Sequence, residues 1–156
     1  MEIKYRNATI DDLEIYYKWV NQPSVRMQSF NSELINLEDH VSWFKKKLND
    51  TNCMMLIFSI DEVNVGQVRF QEEDEEFSII NISISEEHRG KGYGIRILNI
   101  ATEIYFSKYP KKLIKAYVKT ENITSNTIFK NAKFILQGET NFNSIKSYIY
   151  VKYQDR

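Results

Sequence analysis

The sequence predicts an α+β fold in which a mixed central sheet of about seven strands is flanked by about four helices. Three observations predict it. Apolar and polar residues alternate in about seven short segments, whereas apolar residues recur every three to four positions in about four longer ones. These segments follow one another in the order βααβββαβαββ. The chain has only five glycines and two prolines, so the places where they cluster mark connections between elements.

Length and composition exclude several classes of protein. The chain of 156 residues has the size of one domain, so we expect residues 1–156 to fold as a single domain. Lys and Arg number 21, as do Asp and Glu, and this balance argues against a nucleic-acid partner. One cysteine and two histidines do not make a Cys/His metal site. Because no stretch approaches the ~20 apolar residues of a membrane span, we expect no membrane partner and a cytoplasmic location.

The first part of the chain is predicted to supply one strand and two helices. Residues 2–8 alternate like a strand. Thr9, with Asp12 three residues later, predicts a capped helix start. We expect this helix to end at residues 21–23, where a proline follows Asn and Gln. A second helix is expected to begin after Asn36.

The rest of the chain is predicted to form a three-stranded meander, followed by helices that alternate with strands. A short turn and the acidic run 72–76 separate the meander strands, and such a run is usually a solvated hairpin tip. A helical stripe begins at Ile95 and ends before Pro110. The predicted strands are 54–60, 63–71, 77–85, 113–118, 133–138 and 145–153, with a helix at about 122–131.

Three glycines within residues 90–94 lie between an apolar strand and an amphipathic helix. Such a turn lets backbone N–H groups converge on an anion, and the start of the helix adds its own unsatisfied N–H groups. Arg89 and Lys91 add positive charge. The spacing fits neither a P-loop nor a dinucleotide-binding motif. A pyrophosphate is therefore the expected ligand, and a plain structural turn is the alternative.

At this turn the sequence resembles the GNAT superfamily of N-acetyltransferases. Its acetyl-CoA loop has Arg or Gln, two residues of any kind, Gly, one of any kind, then Gly or Ala, and residues 89–94 match each specified position. The resemblance implies the GNAT fold and acetyl-CoA (coenzyme A) as cofactor, with its pyrophosphate on the loop and its pantetheine arm on the preceding strand. The implied cofactor-binding residues are Ile82, Ser83, Ile84, Arg89, Gly90, Lys91, Gly92, Tyr93, Gly94, Ile95, Asn122, Ser125 and Phe129.

A second segment of this superfamily is similar to residues 118–129. Asn122 is well placed to cap the helix, and in the family the same residue often meets the cofactor. Phe129 stands where many members have a tyrosine that protonates the departing thiolate. Because phenylalanine has no proton to give, general-acid catalysis from this position is excluded.

The catalytic groups are not identified by the sequence, and three residues are weak candidates. One parity of the strand 77–85 changes from apolar to polar at Asn81 and Ser83, so these side chains are expected either at the reacting centre or in water. His40 is the third candidate. Together with Trp43, it is expected either to line an acceptor cleft or to form a half-buried structural pair.

Residues 19–26 and 35–44 are similar to a GNAT subgroup that N-acetylates the 4-amino group of UDP-linked sugars in pseudaminic-type acid pathways. Val20 replaces the arginine usual there. The resemblance implies a small-molecule amine acceptor, most simply a UDP-amino sugar. Arg26 is expected to bind phosphate or to be a solvated surface residue. The candidate substrate-binding residues are Trp19, Asn21, Arg26, His40, Trp43, Gln67 and Arg69.

The leading functional hypothesis is direct transfer of an acetyl group from acetyl-CoA to such an amine. A polyamine or a protein N-terminus, as in ribosomal-protein acetyltransferases, is the alternative acceptor. A catalytically silent acyl-CoA-binding module is the alternative from another class. A homodimer that pairs residues 145–153 of two chains is also considered.

Overall fold

The computed structural model describes residues 2–31 and 33–154. Seven strands within these residues form one sheet. They are β1 Ile3–Asn7, β2 Cys53–Ile60, β3 Val63–Glu72, β4 Phe77–Ile84, β5 Leu113–Lys119, β6 Ile135–Phe142 and β7 Ile145–Lys152. Their order across the sheet is β1-β2-β3-β4-β5-β7-β6. All neighbours are antiparallel except β4 and β5, which run parallel, so the predicted mixed α+β sheet is confirmed.

Five α-helices connect these strands within the described residues. They are α1 Leu13–Val20, α2 Pro23–Gln28, α3 Leu37–Leu48, α4 Tyr93–Lys108 and α5 Ile123–Asn131. The short helix α2 is absent from the predicted order. Pro23 does end α1, but it also occupies the first turn of α2, where its fixed φ favours a helix and its missing N–H is not needed.

The helices cover both faces of the sheet. On the α1/α3 face, Tyr16 and Trp19 of α1 and Phe44 of α3 pack on Met55 and Ile57 of β2. On the opposite, α4/α5 face, a larger core joins those two helices to the alternate residues of the strands. The strand β2 thus sends its side chains alternately into two separate cores, whereas β3 and β4 contribute to the α4/α5 core.

The predicted helix starts at Thr9 and Asn36 are present. Thr9 and Asp12 form a capping box, and a short 3₁₀ turn, Ile10–Asp12, leads into α1. The Asn36 side chain accepts a hydrogen bond of 2.8 Å from the backbone N–H of Asp39. Local hydrogen bonding therefore fixes where these helices begin.

The position of β6 differs from the predicted strand 133–138. The strand begins only at Ile135, because the two preceding residues form the turn that follows the end of α5. Lys133 adopts a left-handed φ of 69°, and the N–H of Phe134 bonds the carbonyl of Phe129 at 3.0 Å. This is the usual left-handed helix end, with lysine where glycine is common.

The described ranges, 2–31 and 33–154, contain no helix with the length and apolar character needed to cross a bilayer. They also contain no group of three or more His, Cys, Asp or Glu side chains that could hold a metal ion.

Candidate active site

The parallel strands β4 and β5 separate partway along their length. Their Cα partners run from Phe77 with Leu113 to Ile79 with Lys115. Beyond this point β4 remains paired with β3 only, and β5 remains paired with β7 only. The last part of β4, up to Ile84, therefore presents an unpaired backbone edge to the opening, which we call the wedge. A crevice at the carboxyl ends of diverging parallel strands is a usual place for a ligand.

The glycine-rich loop lies at this end of β4 and leads directly into α4. Gly90 and Gly92 have φ values of 74° and 79°, a left-handed conformation that favours glycine. A Cβ atom at either position would meet nothing within 4 Å. Gly92 is the N-cap of α4, and no side chain caps that helix. The first N–H groups of α4 therefore have no side-chain cap among the described residues, and anion binding by them stays a prediction.

Arg89 braces this loop. Its Nε donates to the carbonyl of Ile84 at 2.9 Å, and its Nη1 donates to the Ser24 hydroxyl at 2.5 Å. The Ser24 hydroxyl donates in turn to Glu86 at 2.6 Å. This hydrogen bond, together with the nearby charge of Arg89, lowers the pKa of Glu86. Arg89 therefore ties the end of β4 to the start of α2, while its positive charge stays beside the loop.

The helices α4 and α5 approach each other closely beside the loop. A Cβ atom at Gly94 would lie 3.0 Å from the Ile128 side chain, so glycine is needed there for packing. Asn122 caps α5 as predicted, since its side chain accepts from the N–H of Ser125 at 3.1 Å. The side chain of Tyr93 is buried, so this residue turns its ring into the core and only its backbone towards the loop.

The end of β5 is tied to the start of α5 by one buried amide. The Nδ2 of Asn126 donates to the carbonyls of Lys119 and Asn122 at 3.2 and 2.8 Å. Its Oδ1 accepts from the Tyr150 hydroxyl at 2.5 Å. Phe129 is buried beside this group, with its ring centroid 5.9 Å from that of Tyr150. The amide thus fixes one wall of the wedge.

On the α1/α3 face, the structure brings together four polar residues. Gln67 is only 2% exposed, and its Nε2 lies 2.9 Å from Asn81 Oδ1 and 3.0 Å from Ser83 Oγ. The Tyr16 hydroxyl lies 2.9 Å from Gln67 Oε1. The candidates Asn81 and Ser83 therefore share one hydrogen-bonded group next to the wedge. Their catalytic roles stay predictions.

Arg69 and Trp43 lie one step farther from the wedge on the same face. The guanidinium carbon of Arg69 lies 5.0 Å from the centroid of the Trp43 ring. This cation–π contact holds the Arg69 side chain on the sheet surface, close to Tyr16. The two predicted substrate-binding residues are thus neighbours.

His40 is buried between α1 and α3. It is 1% exposed, and its Nε2 donates to the carbonyl of Leu13 at 3.1 Å. Its ring lies against Tyr17 and Phe44, with centroid distances of 5.1 and 5.6 Å. Burial lowers the pKa of His40 below its ordinary 6.5, although the bond to Leu13 opposes the shift. This geometry favours the structural alternative for His40.

We expect His40 to make folding stability depend on pH. Because its pKa is lowered in the folded state, the unfolded chain binds more protons near pH 6, and acid favours unfolding. The free energy of unfolding should therefore fall from about pH 7.5 to about pH 5.5 in urea titrations. In His40→Gln this loss should be smaller. Equal losses in both proteins would contradict the assignment, since carboxylates act mainly below about pH 5.

Trp19 and Asn21 contribute to packing and to a loop. Trp19 is 4% exposed within the α1/α3 core. The side-chain amide of Asn21 makes two 2.8 Å hydrogen bonds with the backbone of Ile35. Asn21 therefore joins the two ends of the loop that contains α2, residue 21 and residue 35. Contacts of both residues with substrate stay predictions.

Arg26 organises the same segment. Its Nε donates to the carbonyl of Val20 at 2.6 Å, and its Nη2 donates to the Ser29 hydroxyl at 3.0 Å. Its Nη1 donates to the carbonyls of Asn31 and Glu33 at 2.9 and 3.2 Å. Four of the five N–H donors of a guanidinium are thus used inside the protein. The geometry fits neither a phosphate ligand nor the solvated side chain considered as alternatives.

Lys119 and Tyr16 are potential functional residues that the sequence analysis did not single out. Lys119 is 7% exposed, and its Nζ donates to the carbonyl of Met27 in α2 at 2.9 Å. Nothing in the sequence distinguishes it from Lys115 on the same parity of β5. Tyr16 belongs to the apolar stripe of α1, so its hydroxyl gave no separate signal.

Comparisons with known proteins agree with this architecture. The sequence profile described as "Acetyltransferase (GNAT) domain" matches residues 2–135. The acetyltransferase PseH of Campylobacter jejuni subsp. jejuni serotype O:23/36 (strain 81-176) is 24% identical over 147 residues, covering 88% of this chain and 87% of the relative.

Two solved structures share the fold at low sequence identity. Aminoglycoside acetyltransferase AAC(6')-Ib, in complex with ribostamycin and coenzyme A, has a TM-score of 0.87 at 18% identity, over 99% of this chain and 94% of that one. Spermidine N-acetyltransferase from Vibrio cholerae, in complex with CoA and spermine, has a TM-score of 0.83 at 17% identity, over 96% and 92%. With the family profile covering most of the sequence, the chain belongs to the GNAT acetyltransferase family and is an acetyl-CoA-dependent N-acetyltransferase.

Proposed function

We propose that this enzyme acetylates a primary amine of a nucleotide-linked amino sugar, with UDP-linked sugars as the acceptor class. The observation that carries the proposal is the set of hydrogen-bond donors around the wedge. The last Cα pair of β4 and β5 is Ile79 with Lys115. Four residues farther along each strand, Ser83 of β4 and Lys119 of β5 lie on opposite walls of the wedge. Lys119 and Arg69 are cations that make none of the salt bridges among the described residues. Diphosphate and sugar oxygens are the ligand atoms that such groups bind.

The loop and the β4 edge fit the cofactor. We propose that N–H groups of residues 90–94 bind the diphosphate, and that the unpaired edge at 82–84 pairs with the amides of the pantetheine arm. Bound acetyl-CoA supplies the acetyl group as an activated thioester. The contacts expected of Ile95, Ser125 and Phe129 belong to the same proposal.

The chain's own residues then have to position an uncharged amine. Neither histidine is placed as a base, because His40 is buried on Leu13 and the Nδ1 of His88 is bonded to Ser85 at 2.6 Å. We therefore assign removal of the amine proton to water, and positioning of the acceptor to Asn81 and Ser83.

The relatives differ in how far they support this acceptor class. Similarity to PseH, together with the sequence resemblance to the UDP-amino-sugar subgroup, supports the proposal. The spermidine N-acetyltransferase supports only the fold at its low identity. A polyamine or a protein N-terminus would bring positive charge to the wedge, where Lys119 and Arg69 are already cations.

An acceptor panel tests the proposal. Release of free coenzyme A thiol is measured with a UDP-linked 4-amino sugar, spermidine, ribostamycin and a peptide with a free N-terminus. We expect kcat/KM for the UDP-linked sugar to exceed the others by about 100-fold or more, with UDP as a competitive inhibitor. Preference for spermidine or the peptide would overturn the acceptor class. Preference for ribostamycin, or absence of thiol release with all four amines, would overturn the acceptor class as well.

Two finer expectations accompany this proposal. We propose a cytoplasmic location, where acetyl-CoA and nucleotide sugars meet. The expected pairing of residues 145–153 across a homodimer is wrong, because β7 lies between β5 and β6 and has no free edge. We propose instead that any homodimer pairs the edge strand β6 of two chains, and sedimentation at several protein concentrations tests whether a dimer forms.

A further inference from the structure

We propose that Gln67 sets the hydrogen-bonding polarity of the acceptor side of the wedge, so that Asn81 and Ser83 present donors to the acceptor. This inference rests on the proposed function, because it explains how that wedge selects oxygen-rich amines over polycations. Gln67 is thereby a positioning residue, since it acts only through Asn81 and Ser83.

The three contacts of Gln67 are compatible with two orientations of its amide. In one, Oε1 accepts from the Tyr16 hydroxyl while Nε2 donates to Asn81 and Ser83. In the other, the amide is turned over and each bond reverses. Hydroxyl groups donate or accept equally well, and the Asn81 amide can turn as well. The hydroxyl groups and the Asn81 amide therefore do not by themselves decide between the two orientations.

Burial of the Gln67 amide makes that decision. Gln67 is only 2% exposed, and with Oε1 facing Tyr16 both N–H groups of Nε2 have a partner, one on Asn81 and one on Ser83. With the amide turned over, the NH₂ group would have the Tyr16 hydroxyl as its only partner among the described residues, and one buried N–H group would be left unsatisfied. The Tyr16 hydroxyl therefore donates to Gln67 Oε1 at 2.9 Å. Burial also raises the pKa of Tyr16, which keeps this proton in place.

The orientation of the Gln67 amide then determines which hydrogen-bonding groups Asn81 and Ser83 present to the wedge. With Gln67 Oε1 facing Tyr16, both N–H groups of Nε2 face β4. Asn81 must therefore turn Oδ1 inward, which leaves its NH₂ group on the exposed side. Ser83 also accepts from Gln67, which leaves its hydroxyl proton free to donate. Two outward donors suit sugar, carbonyl or phosphate oxygens, whereas an ammonium group, which has only donors, finds no acceptor on the outward NH₂ group of Asn81 and only the second lone pair of the Ser83 hydroxyl.

The variant Gln67→Glu should reverse this polarity. A carboxylate only accepts, so Asn81 and Ser83 must donate inward and present lone pairs outward. We expect the ratio of kcat/KM for the UDP-linked amino sugar to that for spermidine to fall at least about tenfold, mainly through KM. Tyr16→Phe adds no charge but releases the Gln67 amide, so the ratio should fall in the same direction by a smaller factor.

A matched control separates polarity from added charge. Gln71 lies on the same face of β3, and its amide contacts Asp50 and Lys47 at the end of the strand away from the wedge. Gln71→Glu adds the same charge and should change the ratio less than about twofold. An equal change in Gln71→Glu and Gln67→Glu would mean that charge alone acts, and would overturn the proposal.

A second measurement needs no acceptor. In NMR spectra of the intact protein, both side-chain NH₂ protons of Gln67 should exchange slowly with solvent, and Ser83→Ala should speed one of them. Free exchange would overturn the polarity whatever the acceptor is. If these protons are protected but the UDP-linked sugar is not acetylated, the proposed acceptor is wrong. The ratio of kcat/KM for glucosamine to that for spermidine is then measured instead. If Gln67→Glu leaves this ratio unchanged, the inference is overturned.

Discussion

Replacing Gly92 by aspartate is expected to abolish coenzyme A binding while the protein still folds. Gly92 has a left-handed φ of 79°, so an aspartate there costs roughly 1–2 kcal/mol of stability. A Cβ atom added at Gly92 would meet nothing within 4 Å, so the aspartate side chain is expected to extend into the space beside the first N–H groups of α4. A carboxylate at that point both fills the anion site and repels a diphosphate.

Calorimetric titration with coenzyme A measures this effect. We expect the affinity of Gly92→Asp to fall by about 100-fold or more, equivalent to at least about 2.7 kcal/mol. Gly138→Asp is the matched control, because a Cβ at Gly138 in β6 also meets nothing within 4 Å. That control should bind coenzyme A like the original protein. Undiminished affinity in Gly92→Asp would refute the loop assignment.

The loop could be predicted from the sequence because its signals are local. Gly90 and Gly92 are needed for their own backbone conformation, and the proposed anion site is made of the N–H groups that follow directly. The caps Thr9, Asn36 and Asn122 depend on residues within one helical turn. The order of the strands, and of the helices other than α2, followed from periodicity and from the family resemblance, whereas the separation of β4 and β5 was not predicted.

The acceptor side could not be predicted in the same way, because its contacts join distant segments. Gln67 owes its orientation to Tyr16 on another element, 51 residues away in the sequence. The guanidinium of Arg26 could bind a phosphate, but its N–H groups donate instead to backbone carbonyls of its own segment. The identity of a residue states what it can bind, whereas its partners are decided by register and by helix packing.

The largest effect on stability is expected from Asn126→Leu. Leucine has the branched shape and the heavy-atom count of asparagine, with a somewhat larger volume, but makes no hydrogen bond, so the Tyr150 hydroxyl and the carbonyls of Lys119 and Asn122 lose a partner. Tyr150 is fully buried, so water does not replace that bond. Leaving buried polar groups unsatisfied costs about 1–3 kcal/mol each, and we expect the free energy of unfolding to fall by about 3 kcal/mol.

Urea unfolding of four proteins tests this expectation. Asn131→Leu changes an exposed asparagine of the same helix, and its unfolding midpoint should stay close to that of the original protein. In the double variant Asn126→Leu with Tyr150→Phe, the orphaned hydroxyl is removed, so part of the lost stability should return. Since the same amide fixes the end of β5, coenzyme A affinity should fall in Asn126→Leu and not in Asn131→Leu. An unchanged midpoint in Asn126→Leu would show that this wall of the wedge is held by packing alone.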